Sequence, residues 1–128
     1  MFTDARVFSG FSINDLESAK RFYGETLGLR VVENDMGFID IDLGTGATVL
    51  AYVKGDAHEP ATFTILNFAV ADVDAAVDEL NARGVVTTIY NESGEMPVDD
   101  KGIMRGNGPD IAWFRDPSGN VLSVLAEG

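Results

Sequence analysis

The chain has 128 residues, 45% hydrophobic and 23% charged, enough for one domain that folds without a disulfide or a structural metal; no run approaches the roughly 20 apolar residues of a membrane span. With no cysteine there is no disulfide framework, thiolate metal site or Cys nucleophile. A formal net charge of −12 argues against a nucleic-acid partner; it reads first as solubility, with a cationic ligand as the lesser alternative, and charge alone selects no substrate.

The opening MFTDARVFSGF has no basic segment followed by an apolar run, so no signal peptide is expected and the protein is read as cytoplasmic. Phe11 and Ile13 alternate as in a strand with one buried face. Asp15 then supplies a helix N-cap, Leu16, Ala19 and Phe22 form one apolar stripe, and Gly28 ends the helix in a left-handed residue. Residues 37–43 and 47–53 read as strands around a Gly-Thr-Gly turn, and residues 55–60 as a linker.

The pattern then repeats. Phe68 and Val70 stand for Phe11 and Ile13, Asp72 for Asp15, and Ala76 for Ala19, all at one offset of 57 residues (Asp15 to Asp72). Gly84 plays the part of Gly28, after a helix whose apolar stripe is Val73, Ala76, Val77 and Leu80. Residues 85–90 read as a further β-like run, and residues 91–110, with four Gly and two Pro, as a functional loop. A hairpin closes the chain, with residues 111–115 and 120–125 flanking the turn Asp116-Pro117-Ser118-Gly119. The expected fold is α+β: two tandem βαβββ modules, about residues 1–56 and 61–128, within a single domain of residues 1–128, whose curled mixed sheets share a concave cup.

The segment SINDLESAKRFYGETLGL, its echo VADVDAAVDELNARGV and the closing WFRDPSGNVLSVL together resemble the vicinal oxygen chelate superfamily, which includes glyoxalases, bleomycin-resistance proteins and extradiol dioxygenases. The resemblance implies that fold over essentially the whole chain and a divalent metal held in the cup by His and Glu. It also implies a homodimer. Carried over by distance from the matching motifs, the ligand positions fall on Phe8, about Leu50, Ile65 and Ser123, none of which can replace the expected His or Glu. The residues agree without the resemblance: zinc and non-haem iron sites need two imidazoles or thiolates, and His58, placed in the linker and read as exposed, is the one His. No metal and no cofactor is therefore expected, apart from an all-oxygen Mg²⁺ or Mn²⁺ site at Glu95, Asp99 and Asp100.

No GxSxG, Walker, GxGxxG or HExxH pattern is present. Lys101 and Arg105 are candidate anion-binding groups, against ordinary loop salt bridges. Trp113, the one Trp, is either core or a flat wall for a ligand. Alternation puts Asn67 on the face of Ile65, and Tyr52 on the face of Leu50. The expected cup is lined by Phe8, Leu50, Tyr52, Ile65, Asn67 and Ser123, mostly apolar with a few polar groups, as small-molecule sites are. The leading expectation is a metal-independent protein that binds and sequesters a small molecule. The alternative is a glyoxalase-like lyase or isomerase with Glu95 or Asp99 as the base, and a third reading is a domain without a ligand.

Overall fold

The computed structural model describes residues 1–128, which separate into two compact units, Met1–Pro60 and Ala61–Gly128. In the first, β1 (Ser9–Ile13) leads to α1 (Leu16–Lys20), then β2 (Val31–Glu33), β3 (Ile39–Asp42) and β4 (Thr48–Val53). In the second, β5 (Thr64–Val70) leads to α2 (Val73–Ala82), then β6 (Ile103–Met104), β7 (Ile111–Arg115) and β8 (Val121–Ala126). Each unit holds one four-stranded sheet, ordered β1-β4-β3-β2 and β5-β8-β7-β6, with the first and last strands parallel and the other pairs antiparallel. This is the α+β, strand–helix–strands architecture expected from the repeat.

The helix starts are fixed as their aspartates predict. Asp15 accepts from the Ser18 N–H at 2.8 Å and from the Ser18 hydroxyl, and Asp72 accepts from the Ala75 N–H at 3.0 Å, satisfying N–H groups that the first turn leaves unpaired. After Lys20 the first helix widens into a π-helical stretch, Arg21–Thr26, in which the Leu27 N–H donates to the Phe22 carbonyl at 2.9 Å. Gly28 and Gly84 both follow their helices at positive φ, 74° and 85°. At the second, the Val85 N–H reaches back to the Leu80 carbonyl at 2.9 Å.

Strand alternation sends one face of each sheet inward. On the first sheet Phe11, Ile13, Ile39, Ile41, Val49 and Ala51 are buried, and Tyr23 of the π-helical stretch packs on Phe11 with ring centroids 5.8 Å apart. On the second, Ala112, Phe114, Leu122 and Val124 are buried, and α2 contributes Val73, Val77 and Leu80 against β7 and β8. Each of the larger ones, the Val, Leu, Ile and Phe side chains, contributes about 1.5–3 kcal/mol when fully buried.

Three local expectations need correction. β2 was not anticipated, because three residues carry too little alternation to read. Residues 85–90 form no strand: Thr88 makes only an isolated bridge to Trp113. Side chains replace the ladder there. The Asn81 amide donates to the Val85 carbonyl at 2.9 Å, and the Thr87 hydroxyl donates to the Lys101 carbonyl at 2.7 Å. The loop after them is less irregular than expected, since it contains β6, paired with β7.

The final turn is built around Asp116, which is buried. Its Oδ1 accepts from the Ser118 and Asn120 N–H groups, each at 2.9 Å, and its Oδ2 accepts from the Asn120 amide at 3.0 Å. Asn120, expected to begin the last strand, belongs to this turn instead. Its Oδ1 accepts from the Ala61 N–H at 3.0 Å, tying the start of the unit to its end.

Candidate functional site

The face of the first sheet opposite its buried core carries Gly10 and Ser12 of β1, Asp40 of β3, and Thr48, Leu50 and Tyr52 of β4; in register, Gly10 pairs with Leu50 and Ser12 with Tyr52. Phe8, just before β1, joins Leu50 in a shallow groove of about 270 Å³ that Arg6, Asp35, Asp40 and Thr48 also line. Phe8 is 51% exposed, so it is not core. Phe38 meets Tyr52 edge to face at 6.4 Å, a second aromatic feature of this face. Gly10 leaves room for this: a Cβ there would lie 3.3 Å from the Leu50 carbonyl oxygen and 3.6 Å from the Tyr52 ring. The Arg6 guanidinium lies 4.7 Å from the centroid of the Phe8 ring, a cation–π contact.

Of the residues named from sequence, Phe8, Leu50 and Tyr52 thus share one face. Arg6, Phe38 and Asp40 were missed, although alternation about buried Ile39 and Ile41 carries the signal for the last two. His58 is not the exposed linker side chain expected. It is half-buried, with Nδ1 2.7 Å from the Ser12 hydroxyl, because the linker folds back as a short 3₁₀ turn, Gly55–Ala57, at the end of β4.

On the second sheet, Asn67, Ser123 and Trp113 stand in one row across β5, β8 and β7. The Ser123 hydroxyl donates to Asn67 Oδ1 at 2.5 Å, which leaves the exposed Asn67 amide as a donor. Trp113 is buried, with Tyr90 against it edge to face at 5.4 Å. Ile65 does not follow the alternation back from Asn67. The register shifts between Thr64 and Leu66, so Ile65 is the extra residue of a β-bulge and Thr64 takes the place opposite Val121.

The loop charges are engaged in holding the unit together. Arg105 binds Asp74 at 2.7 Å, Asp110 at 3.0 Å and Asp99 at 3.2 Å, and Lys101 binds Asp78 at 2.8 Å. Of the two readings of Lys101 and Arg105, the ion pairs are what this structure displays: Lys101 pairs with Asp78 of α2, and Arg105 with Asp74 of α2, Asp99 and Asp110. Asp99, a candidate base, is held towards its charged form. Partial burial pushes its carboxyl up, but the N–H groups of Ile103 and Lys101 and the Arg105 guanidinium outweigh that and hold its pKa below the ordinary value. A general base at neutral pH needs the opposite shift. Glu95 is exposed on the loop, and its backbone N–H is held by the Ser93 hydroxyl at 3.3 Å.

The donors do not fit a metal. Phe8, Leu50 and Ile65 have none to offer, the Ser123 hydroxyl is bonded to Asn67, and no three His, Cys, Asp or Glu side chains are grouped to hold an ion. Of the candidate oxygen-only site at Glu95, Asp99 and Asp100, the Asp99 oxygens accept from the Lys101 and Ile103 N–H groups and from Arg105.

Residues 9–124 match the family model for the Glyoxalase/Bleomycin resistance protein/Dioxygenase superfamily. Uncharacterized protein YraH of Bacillus subtilis (strain 168) is 27% identical over 125 residues, covering 88% of this chain and 90% of that protein. TnmS3, an antibiotic binding protein from Streptomyces sp. CB03234, is 25% identical with a TM-score of 0.68, covering 98% of this chain and 99% of its own. A superfamily member from Sphaerobacter thermophilus DSM 20745 is also 25% identical with a TM-score of 0.68, covering 95% and 98%. With the paired strand–helix–strands units and the match over nearly their whole length, the chain belongs to the Glyoxalase/Bleomycin resistance protein/Dioxygenase superfamily.

Proposed function

We propose that this protein binds and sequesters a planar, partly apolar small molecule without a metal. The observation that carries the reading is the open face of the first sheet, where Phe8, Leu50, Phe38 and Tyr52 present aromatic and aliphatic surface beside a few polar groups. A filled, purely structural face would bury Phe8, which is 51% exposed. The description of TnmS3 as an antibiotic binding protein supports the same class of activity. Catalysis by Asp99 is disfavoured by its ion pair with Arg105.

On the second sheet the reading assigns ligand contact to the exposed Asn67 amide, beside Ser123 and Trp113. The reading also includes a homodimer, as the resemblance implies.

A panel of planar polycyclic natural products, titrated in the presence of EDTA and followed by heteronuclear NMR, tests the proposal. At least one compound is expected to bind and return unchanged. Its affinity should fall by about 1–2 kcal/mol in Phe8→Ala or Tyr52→Ala, from lost apolar contact. Binding that requires an added divalent ion, conversion of the ligand, or indifference to both substitutions overturns the reading.

A further inference from the structure

Charge on the open face of the first sheet narrows the class of ligand, an inference that rests on the proposed reading of this face as a binding site. Asp40 points from β3 onto the face and lines the groove with Phe8 and Leu50. It makes no ion pair, in contrast to Asp74, Asp78, Asp99 and Asp110, which are all matched by Lys101 or Arg105. Asp35 lines the same groove. An unmatched carboxylate beside aromatic rings is a setting in which a cation gains from both, since ring faces and carboxylate are negative towards it.

A second observation is independent of the carboxylates. The Arg6 guanidinium, a planar cation, already rests on the Phe8 ring with its carbon 4.7 Å from the centroid, in the same groove. Arg6 lies before β1 and makes no ion pair that would hold it there. The stacking itself is what places it. The ring face is thus shown to accept a flat positive group supplied by the chain.

We infer that this face selects a planar organic cation, seated on Phe8 with Asp40 as its counter-charge, in the place the Arg6 guanidinium occupies. The net charge of −12 acts in the same direction, raising the local concentration of cations. A neutral ligand of equal shape gains the apolar contact and forgoes both charge terms.

The test uses N-methylquinolinium and its neutral isostere 1-methylnaphthalene, titrated into the full chain at low ionic strength and followed by backbone amide NMR at Gly10, Asp40 and Leu50. The cation is expected to bind at least about tenfold more tightly. Asp40→Asn should reduce the preference several-fold, to the few-fold share that the ring face alone supplies. Arg6→Ala should tighten cation binding several-fold, because an internal competitor is gone. If both probes bind equally and Phe8→Ala weakens both, the cation inference falls and the binding face stands. A preference undiminished in Asp40→Asn also overturns the inference. If neither probe shifts these amides, both readings fall. The Asp40 and Arg6 positions are solvent-facing, and amide dispersion confirms that the variants remain folded.

Discussion

Gly102→Ala tests how the loop is seated in the second unit. Gly102 has φ 86°, and a Cβ placed on it would lie 1.9 Å from the Thr87 carbonyl oxygen and 2.8 Å from the Thr87 carbonyl carbon. The left-handed conformation alone costs a non-glycine residue about 1–2 kcal/mol. Relief of the contact to an ordinary 3.4 Å requires about 1.5 Å of backbone displacement, and both partners are main chain rather than a side chain that can swing away. That movement breaks the bond from the Thr87 hydroxyl to the Lys101 carbonyl, leaving buried groups unpaired at a cost of about 1–3 kcal/mol. The expected loss is therefore about 2–5 kcal/mol, a fall in melting temperature on the order of 10–20 °C. Trp113 reports the same event, since Thr88 bridges to it and Tyr90 packs on its ring. Urea denaturation followed by Trp113 fluorescence is the assay. Gly106→Ala is the control: its φ is 83° with nothing within 4 Å of the added carbon, so it should lose only the conformational term. If the two variants are equally stable, the reasoning about the Gly102 contact is refuted.

Asn67→Ala should weaken ligand binding on its face by about 1–3 kcal/mol, the cost of one unmade hydrogen bond, and should also lower stability by about 1–3 kcal/mol, because it strands the buried Ser123 hydroxyl; unaltered affinity of the folded variant by fluorescence titration contradicts the assignment. Arg105 holds the Asp74 carboxyl below its ordinary 3.8, so that part of the stability is fully present above pH 3.8 and is lost as pH falls through the lowered folded value. In Arg105→Ala the Asp74 carboxyl should titrate closer to 3.8 by NMR, and the acid limb of the stability curve should flatten. Asp116→Ala should destabilise by about 2–4 kcal/mol, because it strands the buried N–H groups of Ser118 and Asn120, and urea unfolding measures it. Protein dialysed without chelator should retain no stoichiometric zinc, nickel or iron by elemental analysis, and light scattering should give twice the chain mass.

The parts of the fold legible in the sequence are those whose cause is local. Asp15 and Asp72 announce helix starts because a short carboxylate is the group that caps free N–H donors, and Gly28 and Gly84 announce ends because each takes a left-handed φ. Alternation also identified the open face through Leu50 and Tyr52. It failed at Ile65, where one inserted residue shifts the register without any mark in composition. It failed again at residues 85–90, where Val85 and Thr87 are buried and alternate like a strand while their partners are side chains of Asn81 and the Lys101 carbonyl. Lys101 and Arg105 show the other limit: their carboxylate partners lie up to 31 residues away, a distance over which sequence gives no pairing. His58 was misread for the same reason, since its contact with Ser12 spans 46 residues.

In each sheet the first strand made is the neighbour of the last, β1 beside β4 and β5 beside β8. On a ribosome, β5 therefore waits, with both edges unpaired, until Val121–Ala126 has been synthesised, and β7 waits with one edge unpaired because β8 lies between them. Such long-range closure is slow and leaves strand edges exposed to wrong partners. The first unit closes as soon as Val53 has emerged, so it can be finished while the second is still being threaded out. A pause or truncation before residue 121 leaves α2 without one of its two supporting strands, and it is at that stage that this chain is most open to aggregation and to proteolysis.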